Sequence, residues 1–418
     1  MQASTLTEPS TPTASAETSR ENPDSVVLHV SGEIGVKGNN RGMFERTLKQ
    51  NLEKSLKGLS IGGVSREGGR FVVRLTPKSP AHQVLERAGY VPGFASVALA
   101  TAAEPTVSAI SEEILRLAES GQGSFRIATR RSDKRFPISS PDMNAHVGQI
   151  IVDATGRPVS LDDPQEIYHI EITEDSAFVY ASRQKGADGL PVGTAGRIVA
   201  LTSGGIDSPV AAWDMLHRGC NVDLVHCASV IPDKLDVWDK LTEISKVLAR
   251  SQGTTRLHMV PFGELQRAIV AGVPADMRML IYRRLMVKIA ERVMLDVKGK
   301  AIVTGDSVGQ VSSQTLENLR ATFTATDWPI LCPLAGHSKE TIVKRARAIG
   351  TYSISIQPGE DCCQYMVARH PVTRAGYKKI RQYDELDVES ELSKAVETRQ
   401  VKNLSADWSA PLDYGKGY

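Results

Sequence analysis

Chemistry is concentrated in one short run, Ser203, Gly204, Gly205, Ile206, Asp207 and Ser208, followed by Pro209. Two adjacent glycines let backbone N–H groups converge on an anion, and the serines add hydroxyl donors. A helix predicted to start here would turn the positive end of its dipole toward the same point. Together these features make a phosphate cradle. The run lacks the Gly-Lys-Ser/Thr ending of a Walker A loop, so transfer of a γ-phosphoryl group is not its natural chemistry. A second group of suitable residues is Arg126, Arg130, Arg131, Lys134 and Arg135, five cations accompanied by one acid, Asp133. Such a cluster is either a contact for nucleic-acid phosphates or a solvated charged face.

These residues need elements to position them. RIVALTS reads as an apolar strand leading into the glycine-rich run, with VAAWDMLHRG as the helix behind it. From residue 197 to about 379, apolar strands keep alternating with helices, and NVDLVHCA, RLHMVPF and KAIVTGD are the next strands. That alternation predicts a doubly wound parallel sheet, which binds ligands at the carboxyl ends of its strands.

The basic cluster belongs to a different setting. SVVLHV is predicted as a strand, 41–57 as a helix, 71–75 as a strand and 81–88 as a helix, which together make a small α+β unit. From about residue 92 the order is strand, helix 107–119, strand 124–130, helix 144–154, then two short strands around the acidic turn of HIEITEDSAFVYAS. This is a second α+β unit, with the basic cluster on and just after one of its strands. The glycine-rich stretch 185–196 reads as a linker, and the charged residues near the C-terminus as a packed appendix.

At 418 residues, 41% hydrophobic and 23% charged, the chain has room for several cores and is neither disordered nor collagen-like. A formal charge of +2 means that any nucleic-acid contact must be local. Five cysteines without a C-x-x-C pair exclude a disulfide framework and a zinc ribbon, and a cytoplasmic, reducing setting is expected. No dedicated metal site is predicted. No run approaches the roughly 18 apolar residues of a membrane span. Residues 1–24, rich in Ser, Thr, Pro, Ala and Glu, are expected to be a disordered leader.

SGGIDS, between its strand and helix, resembles the PP-loop of ATP pyrophosphatases, which cleave ATP between the α- and β-phosphates and adenylylate a carbonyl oxygen. From about residue 26 to about 379 the chain resembles tRNA 4-thiouridine synthetase, a tRNA sulfurtransferase with THUMP and PP-loop domains. Carrying the likeness, in the family's order, are GEIGVKGNNRGMFE (32–45), FRIATRRSDKRFP (125–137), TGDSVGQVSSQTLENL (304–319) and EDCCQYMVARHPVT (360–373). The resemblance implies an α/β and α+β multidomain chain. After the leader (1–24) come an N-terminal ferredoxin-like domain (25–78), a THUMP RNA-binding domain (79–185), a linker (186–196), a doubly wound parallel-sheet PP-loop domain (197–385) and a C-terminal extension (386–418).

By the same resemblance ATP lies against Leu201, Thr202, Ser203, Gly204, Gly205, Asp207 and Ser208, against His226 and Cys227 at the tip of the next strand, and against Arg283, Gly305 and Gln314. Asp207 would help position magnesium. Cys362 matches the family's sulfur-carrying cysteine, and its neighbour Cys363 could be a resolving thiol; alone, the pair would read as two small buried hydrophobes. The implied reaction adenylylates O4 of a tRNA uridine, then delivers persulfide sulfur from Cys362 to C4. A cysteine desulfurase is the implied persulfide donor, a homodimer the implied assembly, and the short form without a rhodanese-like domain is expected. Two rivals share part of this pattern. One is a PP-loop enzyme that adenylylates a small molecule or a different tRNA base; the other is an RNA-binding module with a degenerate nucleotide site.

Overall fold

The computed structural model describes residues 23–229, 235–357, 372–376 and 380–409. They divide into two units, one made of Met1–Val27, Ser60–Ala81 and Ala98–Arg183, the other of Leu28–Leu59, His82–Val97 and Gln184–Tyr418.

The first unit is built on strands β1 (Ser25–Val30), β2 (Gly63–Glu67), β3 (Arg70–Arg74), β4 (Phe94–Ala103), β5 (Phe125–Arg131), β6 (Glu166–Ile172) and β7 (Ala177–Tyr180). Their order is β2-β3-β1-β4-β7-β6-β5, and β1 and β4 continue along the chain into the other unit. β2 is absent from the sequence reading because GVSRE carries little apolar pattern. Its partner strand makes it: Gly68 (φ 53°) and Gly69 (φ 86°) form a two-residue turn that brings Glu67 opposite Arg70. Two helices, Val107–Glu119 and Ser140–Thr155, cover one sheet face through Ile110, Ile114, Val147 and Ile151. The second starts four residues before the expected 144, because Ser139 caps it by accepting from the Asp142 N–H and a proline occupies the first turn. Gly156, at φ 67°, ends it. Asp24, expected in the leader, is already fixed, since its carboxylate accepts from the Ala102 N–H at 3.0 Å.

The second unit holds β8 (Gln184–Lys185) and a six-stranded sheet of β9 (Gly196–Leu201), β10 (Cys220–Ala228), β11 (Thr254–Pro261), β12 (Ile302–Val303), β13 (Ile330–Leu331) and β14 (Gln400–Ser405). The order is β13-β12-β9-β10-β11-β14. β9 to β13 run parallel, as the alternating pattern predicts. Helices Asp207–His217, Leu235–Gln252 and Lys339–Ala348 close one face with Val210, Leu241, Leu248 and Ile342; Gly263–Gly272, Arg278–Asp296 and Glu389–Glu397 close the other with Ile269, Leu285, Ile289 and Leu392. The chain leaves β9 toward β10 on one side and returns to its other side at β12, so the sheet's crevice opens at the carboxyl ends of β9 and β12.

Two segments differ from expectation. Residues 186–196 are packed: Ala187, Leu190 and Val192 are buried, and the Leu190 and Gly193 N–H groups donate to His217 and Gly219 carbonyls. Residues 389–405 are part of the sheet domain rather than an appendix. β14 pairs antiparallel with β11 from Thr254↔Ser405 to Met259↔Gln400. Its sequence hides this because an edge strand has one neighbour and stays largely exposed, so QVKNLS needs no apolar face.

Candidate active site

The glycine-rich run leaves β9 at Leu201 and enters the helix at Asp207. Gly204 sits at φ 77°, a conformation that side chains with a Cβ rarely adopt. The loop is tied internally: the Thr202 and Ser208 hydroxyls are 3.0 Å apart, and the Gly205 N–H donates to Ser203 Oγ at 3.3 Å. Against it presses Gly305. A Cβ there would stand 2.9 Å from the Ser208 nitrogen and 3.0 Å from the Asp207 carbonyl carbon, so only glycine allows the chain after β12 to approach this closely.

These strand ends enclose a cavity of about 410 Å³. Of the residues expected at the nucleotide, Leu201, Thr202, Ser203, Asp207, Ser208, Cys227, Arg283, Gly305 and Gln314 line this cavity. Its lining is partly apolar, from Val225, Met279, Met286 and Val287, and partly polar, from the loop and the residues after β12. A nucleotide has the same division, a flat base and a charged phosphate chain.

Charges on the polar part of the lining are paired. Asp207 accepts from Lys339 Nζ at 2.5 Å and from Gln310 Nε2 at 2.9 Å. Arg283 donates to both carboxylate oxygens of Asp306, at 2.7 and 2.6 Å, and to Ser313 Oγ at 3.1 Å. Gln314 Nε2 and the Thr304 hydroxyl also donate to Asp306. Thr304 is in turn 3.3 Å from the Cys332 sulfur, whose thiol burial pushes up, keeping it protonated.

His226 is arranged differently from the other expected residues. Its ring Nδ1 lies 2.7 Å from the Thr202 carbonyl, which makes it a strut between β10 and the loop. Burial holds the imidazole below its ordinary pKa, so it is neutral and gives its N–H to that carbonyl. Gly204 and Gly205 shape the loop's backbone.

Cys362 and Cys363 lie outside the described residues. The residues flanking them are bound beside the cavity. Ser355 Oγ donates to the Gly205 carbonyl at 3.3 Å, while the carbonyls of Val372 and Thr373 accept from Asn318 and Thr315.

Sequence reasoning did not single out Asp306, Gln310 or Lys339. Lys339 had a readable signal: Ser338 caps its helix, and a lysine in a first turn opposes the helix dipole unless an anion holds it there. Asp207 is that anion.

In the first unit the five cations of the basic cluster separate. Arg126 donates to the Leu161 carbonyl, Arg131 to the carbonyls of Phe136 and Ile138, and Arg135 pairs with Asp133 and Glu174. Arg130 and Lys134 are exposed, with no side-chain partner among the described residues.

Among the described residues no helix is long and apolar enough to cross a membrane, and no group of three His, Cys, Asp or Glu could hold a metal ion.

Three family models match in sequence order: the ThiI ferredoxin-like domain over residues 26–98, the THUMP domain over 106–182, and the thiamine biosynthesis protein (ThiI) family over 193–388. A probable tRNA sulfurtransferase of Thermus thermophilus is 39% identical over 389 residues, 92% of this chain and 94% of that one. One of Brevibacillus brevis is 37% identical over 385 residues, 91% of this chain and 96% of that one. Among solved structures, a 4-thiouridine synthetase in complex with RNA and bound ATP superimposes with a TM-score of 0.81 at 28% identity, covering 92% of this chain and all of the other. With likeness of this extent running through all three matched parts, the chain belongs to the tRNA sulfurtransferase family.

Proposed function

We propose that the protein is an ATP-dependent tRNA sulfurtransferase that makes 4-thiouridine, with its adenylylation site in the cavity at the carboxyl ends of β9 and β12. ATP-dependent tRNA thiolation is the activity of the family, and tRNA and ATP are its substrates. The observation that carries the siting is the cavity itself, whose lining joins the apolar side chains Val225, Met279, Met286 and Val287 to the Ser203–Ser208 loop, with Asp207 of that loop held by Lys339.

In this reading the loop grips pyrophosphate and the apolar part of the lining takes the adenosine. Uridine O4 attacks the α-phosphorus, the bond to the β-phosphate oxygen breaks, and pyrophosphate leaves. O4 then carries AMP and is a good leaving group. The outer sulfur of a persulfide on Cys362 attacks C4, and the C4–O bond breaks with release of AMP. A second thiol such as Cys363 breaks the S–S bond of the persulfide and is left in a disulfide with Cys362, either after the outer sulfur has bonded to C4 or beforehand, in which case the sulfur arrives as sulfide. The flanking contacts of Ser355 with Gly205 and of Thr373 with Thr315 support Cys362 in this role, since both ends of its segment are bound beside the cavity.

Magnesium fits the site as a partner of ATP. It is usually held by one or two carboxylates together with phosphate oxygens, and Asp207 offers one carboxylate at the loop. When bound, it would neutralise charge on the departing pyrophosphate.

The remaining assignments belong to the same proposal. They are a cysteine desulfurase that loads Cys362, a homodimer, the division into ferredoxin-like, THUMP and PP-loop domains, and a cytoplasmic location. Cys220, Cys227 and Cys332 are free thiols, which suits a reducing compartment. Release of pyrophosphate from ATP by the purified protein tests the function. It is expected to require tRNA. Release driven by a small molecule without tRNA would favour the small-molecule rival, and no release under any condition would favour a pure RNA binder.

A further inference from the structure

Trp408, which follows β14, is held on three sides. Its ring centroid lies 5.5 Å from that of Tyr90 in an edge-to-face arrangement, and the guanidinium carbons of Arg87 and Arg250 stand 5.1 and 5.4 Å from it. Both kinds of contact attract an indole ring. Tyr90 and Arg250 are each 4% exposed, so the cluster is a buried one. Backbone bonds lead the chain there: β14 pairs with β11 as far as Thr254↔Ser405, the Ala406 N–H donates to the Gly253 carbonyl at 3.3 Å, and Arg250 Nε donates to the Asp407 carbonyl at 2.7 Å. All of these residues lie in the second unit, yet they come from different parts of it. Arg87 and Tyr90 belong to helix Ala81–Gly89 and the residue after it, on the ferredoxin-like part of the chain. That helix is tied to helix Arg41–Ser55, because Ser55 Oγ donates to the Arg87 carbonyl at 3.0 Å and Arg87 donates to the Ser55 and Lys57 carbonyls. Arg250 is in the last turn of helix Leu235–Gln252. Ten residues earlier, about 15 Å back along the same helix, Lys240 and Leu241 lie on the phosphate loop. A Cβ on Gly204 would stand 3.5 Å from Leu241 Cδ2 and 3.7 Å from Lys240 Cδ, and Lys240 Nζ donates to the Gln357 carbonyl at 2.9 Å.

We propose that Trp408 is a positioning residue: residues 400–409 form a clasp that seats the ferredoxin-like helices against helix Leu235–Gln252, and through that helix they set the Ser203–Ser208 loop. Trp408 touches no reacting atom. It acts on one end of a helix whose other end touches the loop at Gly204, and a hydrogen-bonded helix passes a displacement of one end to the other. The clasp stands on the contacts alone, whereas its effect on the reaction rests on the reading of the cavity as the adenylylation site.

Two measurements on full-length Trp408→Ala test the two halves. Hydrogen exchange read by mass spectrometry is expected to speed up about tenfold at the amides of helix Ala81–Gly89, with strand Phe125–Arg131 as in the wild type. Pyrophosphate release at saturating ATP and tRNA is expected to fall about tenfold, while ATP affinity by calorimetry and tRNA affinity by filter binding each stay within about twofold. Trp408→Phe, which keeps a ring face for both guanidiniums, is expected to recover release to within about threefold of the wild type. Release unchanged in Trp408→Ala overturns the effect on the loop. Equal losses of ATP affinity, tRNA affinity and release also overturn it, because they mark a merely structural residue. Should Trp408→Ala fail to fold, Trp408→Leu, which keeps apolar bulk without the ring, decides in its place. A wild type that releases no pyrophosphate with tRNA defeats the adenylylation reading instead. The exchange measurement then judges the clasp by itself, and unchanged exchange at helix Ala81–Gly89 overturns it.

Discussion

The cavity wall and the basic cluster at residues 126–135 both rely on arginine, but they use it in opposite ways. Arg283 in the cavity is mostly buried and locked to Asp306 by two short bonds. Arg130 on the cluster is exposed and unpaired among the described residues, and Lys134 resembles it. A locked guanidinium has a fixed direction, which a reacting phosphate or a base edge can exploit. A loose one carries only charge, which is enough for a flexible polyanion whose counterions are released on contact. Neighbours in sequence can fall on either side of this division, as Arg130 and Arg131 do.

The contrast breaks most sharply at Gly305. In Gly305→Ala the new methyl meets backbone atoms of Asp207 and Ser208, which cannot rotate away. Pyrophosphate release is expected to fall about 100-fold while tRNA affinity stays within twofold, measured by a coupled phosphate assay and filter binding. Equal losses in both would dissolve the distinction between the two regions.

A smaller effect is expected on the cluster. Arg130→Glu with Lys134→Glu should weaken tRNA binding about tenfold and lower the salt slope of log K by about 2, with ATP affinity unchanged. Arg131→Glu is the sharpening control. It breaks bonds to the Phe136 and Ile138 carbonyls, so a lowered melting temperature is expected rather than a specific change in slope.

The smallest effect concerns stability. His217 is buried against Trp213, with ring centroids 3.7 Å apart, and desolvation lowers its pKa to about 3. As pH falls through 6.5 the unfolded chain takes up a proton on this histidine while the folded chain does not. The associated stability is fully present above pH 6.5 and is lost toward pH 3. Between pH 6.5 and 5.5 the loss is about 1 kcal/mol, and urea titrations of His217→Gln should show that share of the slope removed.

Much of this was legible in the sequence because it follows from local pattern. The parallel strands, the loop at Ser203–Ser208 and helix 107–119 needed only apolar periodicity and glycine placement. Partnership across the fold was less visible. β2 exists because β3 pairs with it, and β14 because β11 offers an edge; neither strand advertises itself alone. At the cavity, the motif pointed to many of the lining residues, but the acids and amides that hold them were not visible in it. Asp306 lies in the same TGDS run as Gly305, and only the contacts of Arg283 and Gln314 reveal its part. His226 shows the reverse case, a residue found by position whose ring braces the loop from behind.

The account depends on a thiol carried by the segment between Gln357 and Val372 delivering sulfur to a base activated in the cavity. Its most direct test is nucleoside analysis of tRNA after reaction with Cys362→Ser, alongside pyrophosphate release by the same protein. The expected result is no 4-thiouridine with tRNA-dependent pyrophosphate release retained. Formation of 4-thiouridine at the wild-type level would contradict it.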